Sequence, residues 1–370
     1  MFKTCWQSVF VLVIVLSLSI SVGGCGSSDD DGKVSPPDIE SLPSQTTIIP
    51  VDSPQLPDSG FYKGFASLLP TDDSFENSYK KAAEHAQFAN IWVGSPDSGY
   101  WNLAEYLDGS WGDNFVGKFA RENDIFPIIN LSFIDKDPSS GKLILRVPKG
   151  KNYSSLSDPA FREAYKKGAI DAVKVSKPLY FSVGNEINRW YEQYGANNGD
   201  PNGFEHFVSL YEEIYDTIKE LSPETKVFCI FAREIVDENR EADLSVLEMF
   251  NPNKLDILAF TSYPFAPQNI SKVSDIPNDY YSRALNHLGM NDMPFGLTEL
   301  TWSTMDFFGG EAAQADFLTD AAGRLTTDQG MNLHLLGWWS LYDLEGDPHG
   351  TGLIARDGRK KPAYEVWKNL

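Results

Sequence analysis

The sequence predicts an α/β fold, a (β/α)8 TIM barrel formed by a single domain over residues 59–370. Eight short apolar segments follow one another along the chain, and longer amphipathic segments separate them. Eight βα units of roughly 40 residues account for this length. A doubly wound open sheet is the alternative, but no glycine-rich phosphate loop follows any apolar segment.

The apolar segments are predicted to be the barrel strands. Each is short and bounded by Gly, Pro, Asn or Ser, as expected of parallel strands covered on both faces. They are Phe61–Ala66, Ala89–Val93, Phe126–Leu131, Leu179–Val183, Lys226–Phe231, Asp256–Phe260, Pro294–Thr298 and Leu333–Trp338.

Three of the intervening segments have clear helical periodicity. Phe75–Phe88 and Phe204–Leu221 carry apolar residues at helical spacing, and Ser222-Pro223 is a stop signal for the second. Asp158–Val175 begins with an Asp-Pro pair that is typical of a helix start.

The first residues are predicted to be a targeting segment rather than part of the fold. Lys3 precedes an apolar run from Val9 to Leu16, which is too short for a comfortable membrane span. Val22-Gly23-Gly24-Cys25 resembles the lipobox of bacterial lipoproteins, which implies a signal peptide over residues 1–24 and lipidation at Cys25. The protein would then be exported and lipid-anchored to the cell envelope, at the outer membrane or cell surface. A plain signal peptide with an incidental Cys is the alternative.

Residues 25–58 are predicted to be a disordered tether. Residues 26–58 contain seven acidic residues, one Lys, six Pro and eight Ser or Thr, with no aromatic residue. Such a segment buries too little apolar surface to offset its chain entropy, so we expect it to be extended and mobile.

Charge and composition limit the function classes. The net charge of −21 would repel nucleic acid. Aromatic residues make up 13% of the chain, which suits a protein that stacks on sugar rings, although large barrels also use aromatics as filling. The five His show no ligand-like spacing, so we expect neither a metal nor an organic cofactor. We expect the protein to be a monomer.

Two of the predicted strands end in a glutamate. Leu179–Val183 is followed by Gly184-Asn185-Glu186, and Pro294–Thr298 is followed by Glu299. In a closed barrel the fourth and seventh strands face one another, so these carboxyls would enter one cavity at the carboxyl end. Two such groups divide into one protonated and one ionised carboxyl, which glycosidic bond cleavage requires. Alternatively, each Glu caps a helix or pairs with a Lys.

The Gly184-Asn185-Glu186-Ile187 motif and the second Glu resemble clan A glycoside hydrolases, which are retaining (β/α)8 enzymes. The first motif is most similar to the arabinogalactan endo-β-1,4-galactanase family. The resemblance covers about residues 60–370 at the level of strand order and motif. It implies that Glu186 is the general acid/base, that Glu299 is the nucleophile, and that Asn185 binds the sugar 2-hydroxyl.

Further substrate-binding candidates follow from other strand ends. The resemblance implies that Tyr263, after the sixth strand, hydrogen-bonds the nucleophile, and that Trp339, after the eighth, is a platform under the sugar. Trp92, Trp302 and Asn130 also lie at strand ends or in the loops that follow. For the aromatic residues, packing within their own loops is the alternative. The second strand has Trp92 where many clan members have Arg.

The predicted function is a retaining glycoside hydrolase that cleaves a β-linked polysaccharide or oligosaccharide by double displacement. We expect endo action on a galactan-, mannan- or xylan-like chain, and membrane contact only through the lipid. One alternative is a catalytically inactive surface glycan-binding lipoprotein on the same scaffold. Another is a transglycosylase that remodels a polysaccharide of the cell.

Overall fold

A computed structural model describes residues 47–70, 73–92, 101, 103–197, 199–328 and 330–370. The predicted signal peptide and Cys25 lie outside these residues, as does Val93. Within the described ranges, no helix has the length and apolar character to cross a membrane.

All eight predicted strands are present and parallel, which confirms the (β/α)8 TIM barrel. The boundaries differ from the predicted ones by at most two residues, and the fifth strand is divided at Cys229. The strands are β1 (Tyr62–Ser67), β2 (Phe88–Trp92), β3 (Phe126–Asn130), β4 (Tyr180–Ser182), β5 (Lys226–Phe228 and Ile230–Ala232), β6 (Leu258–Ser262), β7 (Phe295–Leu300) and β8 (Leu333–Ser340).

The barrel closes through the divided strand β5. Its first segment pairs with β4, with Phe181 opposite Val227, and its second pairs with β6, with Ile230 opposite Ala259. On the other side β1 pairs with both β2 and β8. The hydrogen-bonded order β5-β4-β3-β2-β1-β8-β7-β6-β5 is therefore a closed ring, and the open sheet considered as an alternative is excluded.

Helices and short hairpins connect the strands. The helices are α1 (Phe75–Ala83), α2 (Ala104–Leu107), α3 (Ser110–Gly112), α4 (Pro159–Ser176), α5 (Asn188–Tyr194), α6 (Glu205–Leu221), α7 (Arg283–Leu288), α8 (Gly310–Gly323) and α9 (Pro362–Asn369). The π-helical segments are Asp113–Ala120 and Arg324–Asp328. The 3-10 turns are Arg121–Asn123, Val236–Glu238, Leu244–Met249, Pro252–Lys254, Val273–Asp275 and Asp306–Phe308. Two antiparallel hairpins pair Ile134–Lys136 with Leu143–Leu145, and Glu234–Ile235 with Arg240–Glu241.

Two of the three predicted helices, α4 and α6, form within one residue of their predicted bounds. Asp158 is the N-cap of α4, and its carboxylate accepts a hydrogen bond from the Ala160 N–H at 2.9 Å. α1 ends at Ala83, five residues before the predicted end, because the chain turns there to enter β2 at Phe88.

Aromatic side chains fill the amino-terminal half of the barrel interior. The rings of Phe126 and Tyr180 stack with centroids 5.1 Å apart, and Tyr62 meets Phe126 edge-on at 5.1 Å. β1 carries glycine at position 64 because a Cβ there would lie 2.2 Å from the ring of Phe88. This closed end leaves the opposite, carboxyl end of the barrel as the place for a cavity.

The described part of the predicted tether, residues 47–58, is bound to the closed end of the barrel, and we call it the amino-terminal strap. Ile48 N–H donates to the carbonyl of Leu221 at 2.7 Å, at the end of α6. Asp52, whose side chain is 7% exposed, forms a two-pronged ion pair with Arg121 at 2.8 Å. Tyr62 OH donates to the Pro54 carbonyl at 3.1 Å. We expected residues up to 58 to be mobile. This prediction is wrong for the strap, because backbone hydrogen bonds and the Asp52–Arg121 ion pair hold it against the barrel.

Candidate active site

Polar and aromatic side chains meet where the strands end, at the carboxyl end of the barrel, which we call the mouth. Glu186 follows β4 and is 8% exposed, and Glu299 lies within β7 and is 4% exposed. Trp92, Tyr263 and Trp339 are half-buried at the ends of β2, β6 and β8. The mouth therefore joins two largely buried carboxyls to partly open aromatic surfaces.

The backbone at Glu186 has an unusual conformation. Its φ is +48°, in the left-handed region that costs a non-glycine residue on the order of 1 kcal/mol or more. The turn is fixed by the second segment of β5. Ile187 N–H donates to the Ile230 carbonyl at 3.2 Å, and the Asn188 side-chain amide exchanges hydrogen bonds with both backbone groups of Ala232, at 2.8 and 2.7 Å. Neighbouring contacts therefore hold the strained residue in place, as is common at functional sites.

Both carboxylate oxygens of Glu186 have partners. Thr261 Oγ1 donates to Oε1 at 2.9 Å, and Arg189 Nη1 donates to Oε2 at 3.0 Å. Arg189 also donates through Nη2 to Asp237 Oδ2 at 2.9 Å. Its guanidinium thus lies between the carboxylates of Glu186 and Asp237.

A register shift in β7 contributes to the placement of Glu299. Thr261 of β6 pairs with Glu299 directly after Phe260 pairs with Leu297, so β7 contains one extra residue at this point. Tyr263 OH donates to Glu299 Oε2 at 2.5 Å. A bulge of this kind reorients the side chains that follow it, here the carboxyl of Glu299.

The pKa of Glu299 is raised from 4.5 to about 8, because the carboxyl is fully buried and because the charge of Glu186 is close by. The hydrogen bond from Tyr263 acts in the opposite direction and lowers the pKa. The hydroxyl itself has a pKa raised well above 10, through burial and through the charges of Glu299 and Glu186. Burial and the neighbouring charge of Glu186 therefore favour the protonated form of Glu299.

A third buried glutamate, Glu234, supports the site from behind. Its Oε2 accepts the backbone N–H of Tyr263 at 2.6 Å, and its Oε1 accepts the hydroxyls of Ser262 at 3.0 Å and Tyr280 at 2.6 Å. Burial raises the pKa of Glu234 to about 7, although the nearby Arg233 lowers it. Glu234 therefore fixes the backbone from which Tyr263 reaches Glu299.

Two predicted polar ligands differ in accessibility. Asn185 is half-buried, and its Oδ1 has no hydrogen-bond partner among the described residues. Asn130 is 1% exposed, and its Nδ2 donates back to the Ile128 carbonyl of its own strand at 3.1 Å. Its Oδ1, like that of Asn185, has no hydrogen-bond partner among the described residues, and its contact with a ligand stays a prediction. A buried amide oxygen without a partner costs about 1–3 kcal/mol, so Asn185 has capacity to bind an additional donor.

The predicted aromatic surfaces divide into two groups. Trp339 and Tyr263 meet edge-on with ring centroids 6.2 Å apart, and both remain partly exposed, as does Trp92. Trp302 is fully buried. Its indole N–H donates to the Phe308 carbonyl at 3.1 Å, and its ring stacks on Phe317 at 5.1 Å. Trp302 is therefore a core residue, and the prediction that it binds substrate is wrong.

Three contributors to the site were not assigned a role from the sequence: Thr261, Arg189 and Glu234. Arg189 follows Glu186 by three residues at the start of α5, a helical spacing that brings side chains together, so this pair was detectable. Glu234 follows the apolar run of the fifth strand, as Glu186 follows the fourth, which was a comparable signal. In the described ranges, no cluster of His, Cys, Asp and Glu is placed to hold a metal ion.

Comparison with known proteins supports the architecture. No protein-family model matches the chain, and a search of curated proteins finds no relative. Among solved structures, xylanase 10B from Thermotoga maritima has a TM-score of 0.55 and 14% identity, over 84% of this chain and 94% of that one. A family 39 glycoside hydrolase from Bacteroides cellulosilyticus WH2 has a TM-score of 0.57 and 15% identity, over 85% and 64%. GH5_18 from Streptomyces cattleya, solved with GlcNAc, has a TM-score of 0.55 and 16% identity, over 84% and 79%. At these identities the likeness shows the barrel fold.

Proposed function

We propose that this protein is a retaining glycoside hydrolase. The observation that carries the proposal is the pair Glu186 and Glu299, which lie at the carboxyl ends of β4 and β7, near enough for the charge of Glu186 to raise the pKa of Glu299. Glycosidic bond cleavage with retention uses two carboxyls in this way, one ionised and one protonated. The fold is shared with three glycoside hydrolases, which agrees with the proposal.

The reaction would proceed by double displacement. The reacting state has Glu299 ionised and the proton on Glu186, so the proton that burial favours on Glu299 must first move to Glu186. A Glu299 oxygen then attacks the anomeric carbon, the bond to the leaving oxygen breaks, and that oxygen takes the proton from Glu186. Glu186, now ionised, removes a proton from water, and the water oxygen attacks the anomeric carbon. The bond to Glu299 then breaks, which releases the sugar and restores both carboxyls. The Tyr263 hydroxyl donates a hydrogen bond to Glu299 and would stabilise the negative charge when this group is ionised.

We propose a β-linked polysaccharide of pyranose units as the substrate, cleaved within the chain. Tyr263 and Trp339 present partly exposed rings beside Glu299, Trp92 is half-buried at the end of β2, and sugar rings stack on such surfaces. The net charge of −21 disfavours strongly anionic polymers. Neutral galactan, mannan and xylan are therefore the substrates to test first. The galactanase resemblance rests on the motif around Glu186 alone.

A polysaccharide panel with matched variants tests the proposal. The wild-type protein should release reducing sugar from at least one neutral β-glycan, and NMR of the first product should show the anomeric configuration of the substrate. Glu299→Ala and Glu186→Gln should each lower kcat by several orders of magnitude, whereas Glu365→Gln, an exposed change, should not. An inverted product, or a Glu299→Ala variant with substantial activity, would exclude this mechanism.

The principal alternative is a glycan-binding protein without catalysis. The contacts of Glu186 favour it, since Thr261 and Arg189 occupy both oxygens of the proposed acid. The second strand has Trp92 where many clan A glycoside hydrolases have an Arg, and this difference also favours binding without catalysis. Saturable binding to a polysaccharide with no released reducing sugar across pH 4–9 would favour this alternative, whereas turnover would reject it.

We also propose export and lipid anchoring through Cys25, on the basis of the Val22-Gly23-Gly24-Cys25 motif. The wild-type protein should fractionate with membranes, and Cys25→Ala should be released into the soluble fraction or remain unprocessed. Equal membrane association of the two would reject the anchor.

A further inference from the structure

Strand β7 contains one extra residue directly before Glu299. Leu297 pairs with the residue that precedes Thr261 in β6, whereas Glu299 pairs with Thr261 itself. On the other side of β7, the pairing with β8 also shifts between Leu297 and Leu300. Thr298 is therefore the bulged residue with respect to both neighbouring strands.

The extra residue decides which way Glu299 faces. Successive side chains of a strand point to opposite faces of the sheet, and paired residues of neighbouring strands share a face. Thr261 points into the barrel, where its Oγ1 donates to Glu186 at 2.9 Å. Without the bulge, Thr298 would pair with Thr261, and Glu299 would turn to the outer face of the barrel. The bulge therefore directs Glu299 to the side on which Thr261 contacts Glu186.

Asn90, in β2, contacts this bulge from across the barrel interior. Its Nδ2 donates to the Thr298 carbonyl at 2.9 Å, and the residue is 6% exposed. Strands β2 and β7 are not neighbours, because β1 and β8 lie between them. On β8, a Cβ at Gly337 would lie 2.3 Å from the same carbonyl oxygen. The Thr298 carbonyl is thus fixed by a donor from β2 and by the space that glycine leaves in β8.

The amide of Asn90 is only partly satisfied. Its Oδ1 is buried and has no hydrogen-bond partner among the described residues, which costs free energy. Phe88, two residues earlier in β2, faces the same interior and packs on Phe126 with ring centroids 5.9 Å apart. An apolar residue at position 90 would avoid the cost of the unpaired oxygen, but it could not donate to Thr298. The contact with the bulge is therefore what this amide contributes.

We infer that Asn90 is a positioning residue for Glu299, on which it acts through the Thr298 carbonyl. The inference rests on the proposed hydrolase function and extends it to a strand that carries neither carboxyl. By holding Thr298 in the bulge, Asn90 keeps Glu299 turned into the mouth, where Tyr263 donates to it at 2.5 Å. Loss of the donor would release the bulge and displace the carboxyl from the anomeric carbon. A displacement of about 1 Å at a reacting group costs roughly 100-fold in rate.

Substitution of Asn90 should separate kcat from KM. Asn90→Leu removes the donor at similar volume and should lower kcat by about 10- to 100-fold on the glycan that the wild type cleaves, with little change in KM. Gly337→Ala, whose new Cβ would meet the same carbonyl at 2.3 Å, should have the same effect. Because both changes act on one bulge, the double variant should be little worse than the more impaired single variant.

A matched control removes a hydrogen bond of the same kind elsewhere. Asn123 lies in the turn before β3, and its Nδ2 donates to the Phe119 carbonyl at 2.8 Å. Asn123→Leu should leave kcat and KM unchanged. Asn90→Ser, which is too short to reach Thr298, repeats the test if leucine disturbs the packing. An equal loss of kcat in Asn90→Leu and Asn123→Leu, or an unchanged kcat in both Asn90 variants, would overturn the inference.

A second readout needs no substrate and separates this inference from the proposed function. In protein labelled with 13C at the tyrosine Cζ, the signal of Tyr263 is identified by its loss in Tyr263→Phe. This signal reports the hydrogen bond to Glu299, and it should shift in Asn90→Leu and in Gly337→Ala but not in Asn123→Leu.

The two readouts together distinguish the possible failures. If no glycan is cleaved but the Tyr263 signal shifts in Asn90→Leu, the hydrolase proposal fails and the assignment of Asn90 stands. If a glycan is cleaved and neither kcat nor the signal changes in Asn90→Leu, the inference fails alone. If the signal does not move in Asn90→Leu, the inference fails whether or not a glycan is cleaved.

Discussion

Replacing Glu299 with Gln should stabilise the protein at alkaline pH. The pKa of Glu299 is about 8 in the folded protein and near 4.5 when the side chain is exposed, so the folded state binds more protons between these values. Its unfolding free energy therefore decreases as the pH rises through this range. Gln cannot ionise, yet it has nearly the same shape and an oxygen that accepts the hydrogen bond from Tyr263.

The size of the effect follows from the pKa difference. Each pH unit between 4.5 and about 8 contributes about 1.4 kcal/mol, which gives about 5 kcal/mol at the upper limit. The free energy of unfolding of Glu299→Gln, relative to wild type, should be near zero at pH 4, grow by about 1.4 kcal/mol per pH unit and level off above pH 8. Urea unfolding at each pH from 4 to 9, with linear extrapolation, measures it.

Two controls define the result. Glu365→Gln, with a side chain 61% exposed, should show no pH-dependent difference from wild type. Glu186→Gln replaces the charged acceptor of Arg189 with a neutral amide and should destabilise the protein at pH 8, with the opposite sign. A difference between Glu299→Gln and wild type that stays constant from pH 4 to 9 would refute the burial and charge coupling assigned to Glu299.

Three further predictions concern the aromatic residues and the strap. Tyr263→Phe should lower kcat/KM by 10- to 100-fold, since a hydrogen bond to an ionised group contributes about 1.5–3 kcal/mol, and should move the acid limb of the pH profile of kcat/KM upward. The control Tyr281→Phe loses only a 3.3 Å contact with a serine and should change neither the rate nor the pH profile. Trp339→Ala should raise KM at least fivefold with little change in the urea midpoint. Trp302→Ala should lower the free energy of unfolding by about 3–5 kcal/mol. The reverse pattern would contradict the assignment of Trp339 as a sugar platform and Trp302 as a core residue. Asp52→Ala should lower the unfolding free energy by about 2 kcal/mol without changing kcat, and an unchanged urea midpoint would show that the strap contributes no stability.

The sequence was sufficient to predict the fold because buried parallel strands leave a strong local signal. Eight short, mostly apolar segments can be recognised without knowledge of the partner strands. Details that depend on the neighbouring strands were not predictable. β6 extends to Ser262, beyond the predicted end at Phe260, because its last residues pair with Leu300 of β7, and Cys229 divides β5 because each half pairs with a different neighbour.

The candidate site was predictable to the extent that it lies at strand ends. Glu186, Glu299 and Tyr263 are adjacent to apolar runs, and the barrel brings such positions together. Whether an aromatic residue after a strand faces the mouth or the core depends on loop packing, which sequence spacing does not encode. Trp302 turns inward onto α8, whereas Trp339 stays at the mouth.

The attachment of the strap has a consequence for how the protein meets its surroundings. Residues 48–54 bind the ends of α4 and α6 and the first residue of β1, at the pole of the barrel opposite the carboxyl pair. A force applied to the chain before residue 47 would therefore act first on the Asp52–Arg121 ion pair and the backbone hydrogen bonds of the strap, and only then on β1. Under the proposed anchoring at Cys25, a barrel held by this pole would turn Glu186 and Glu299 away from the membrane, toward the proposed polysaccharide.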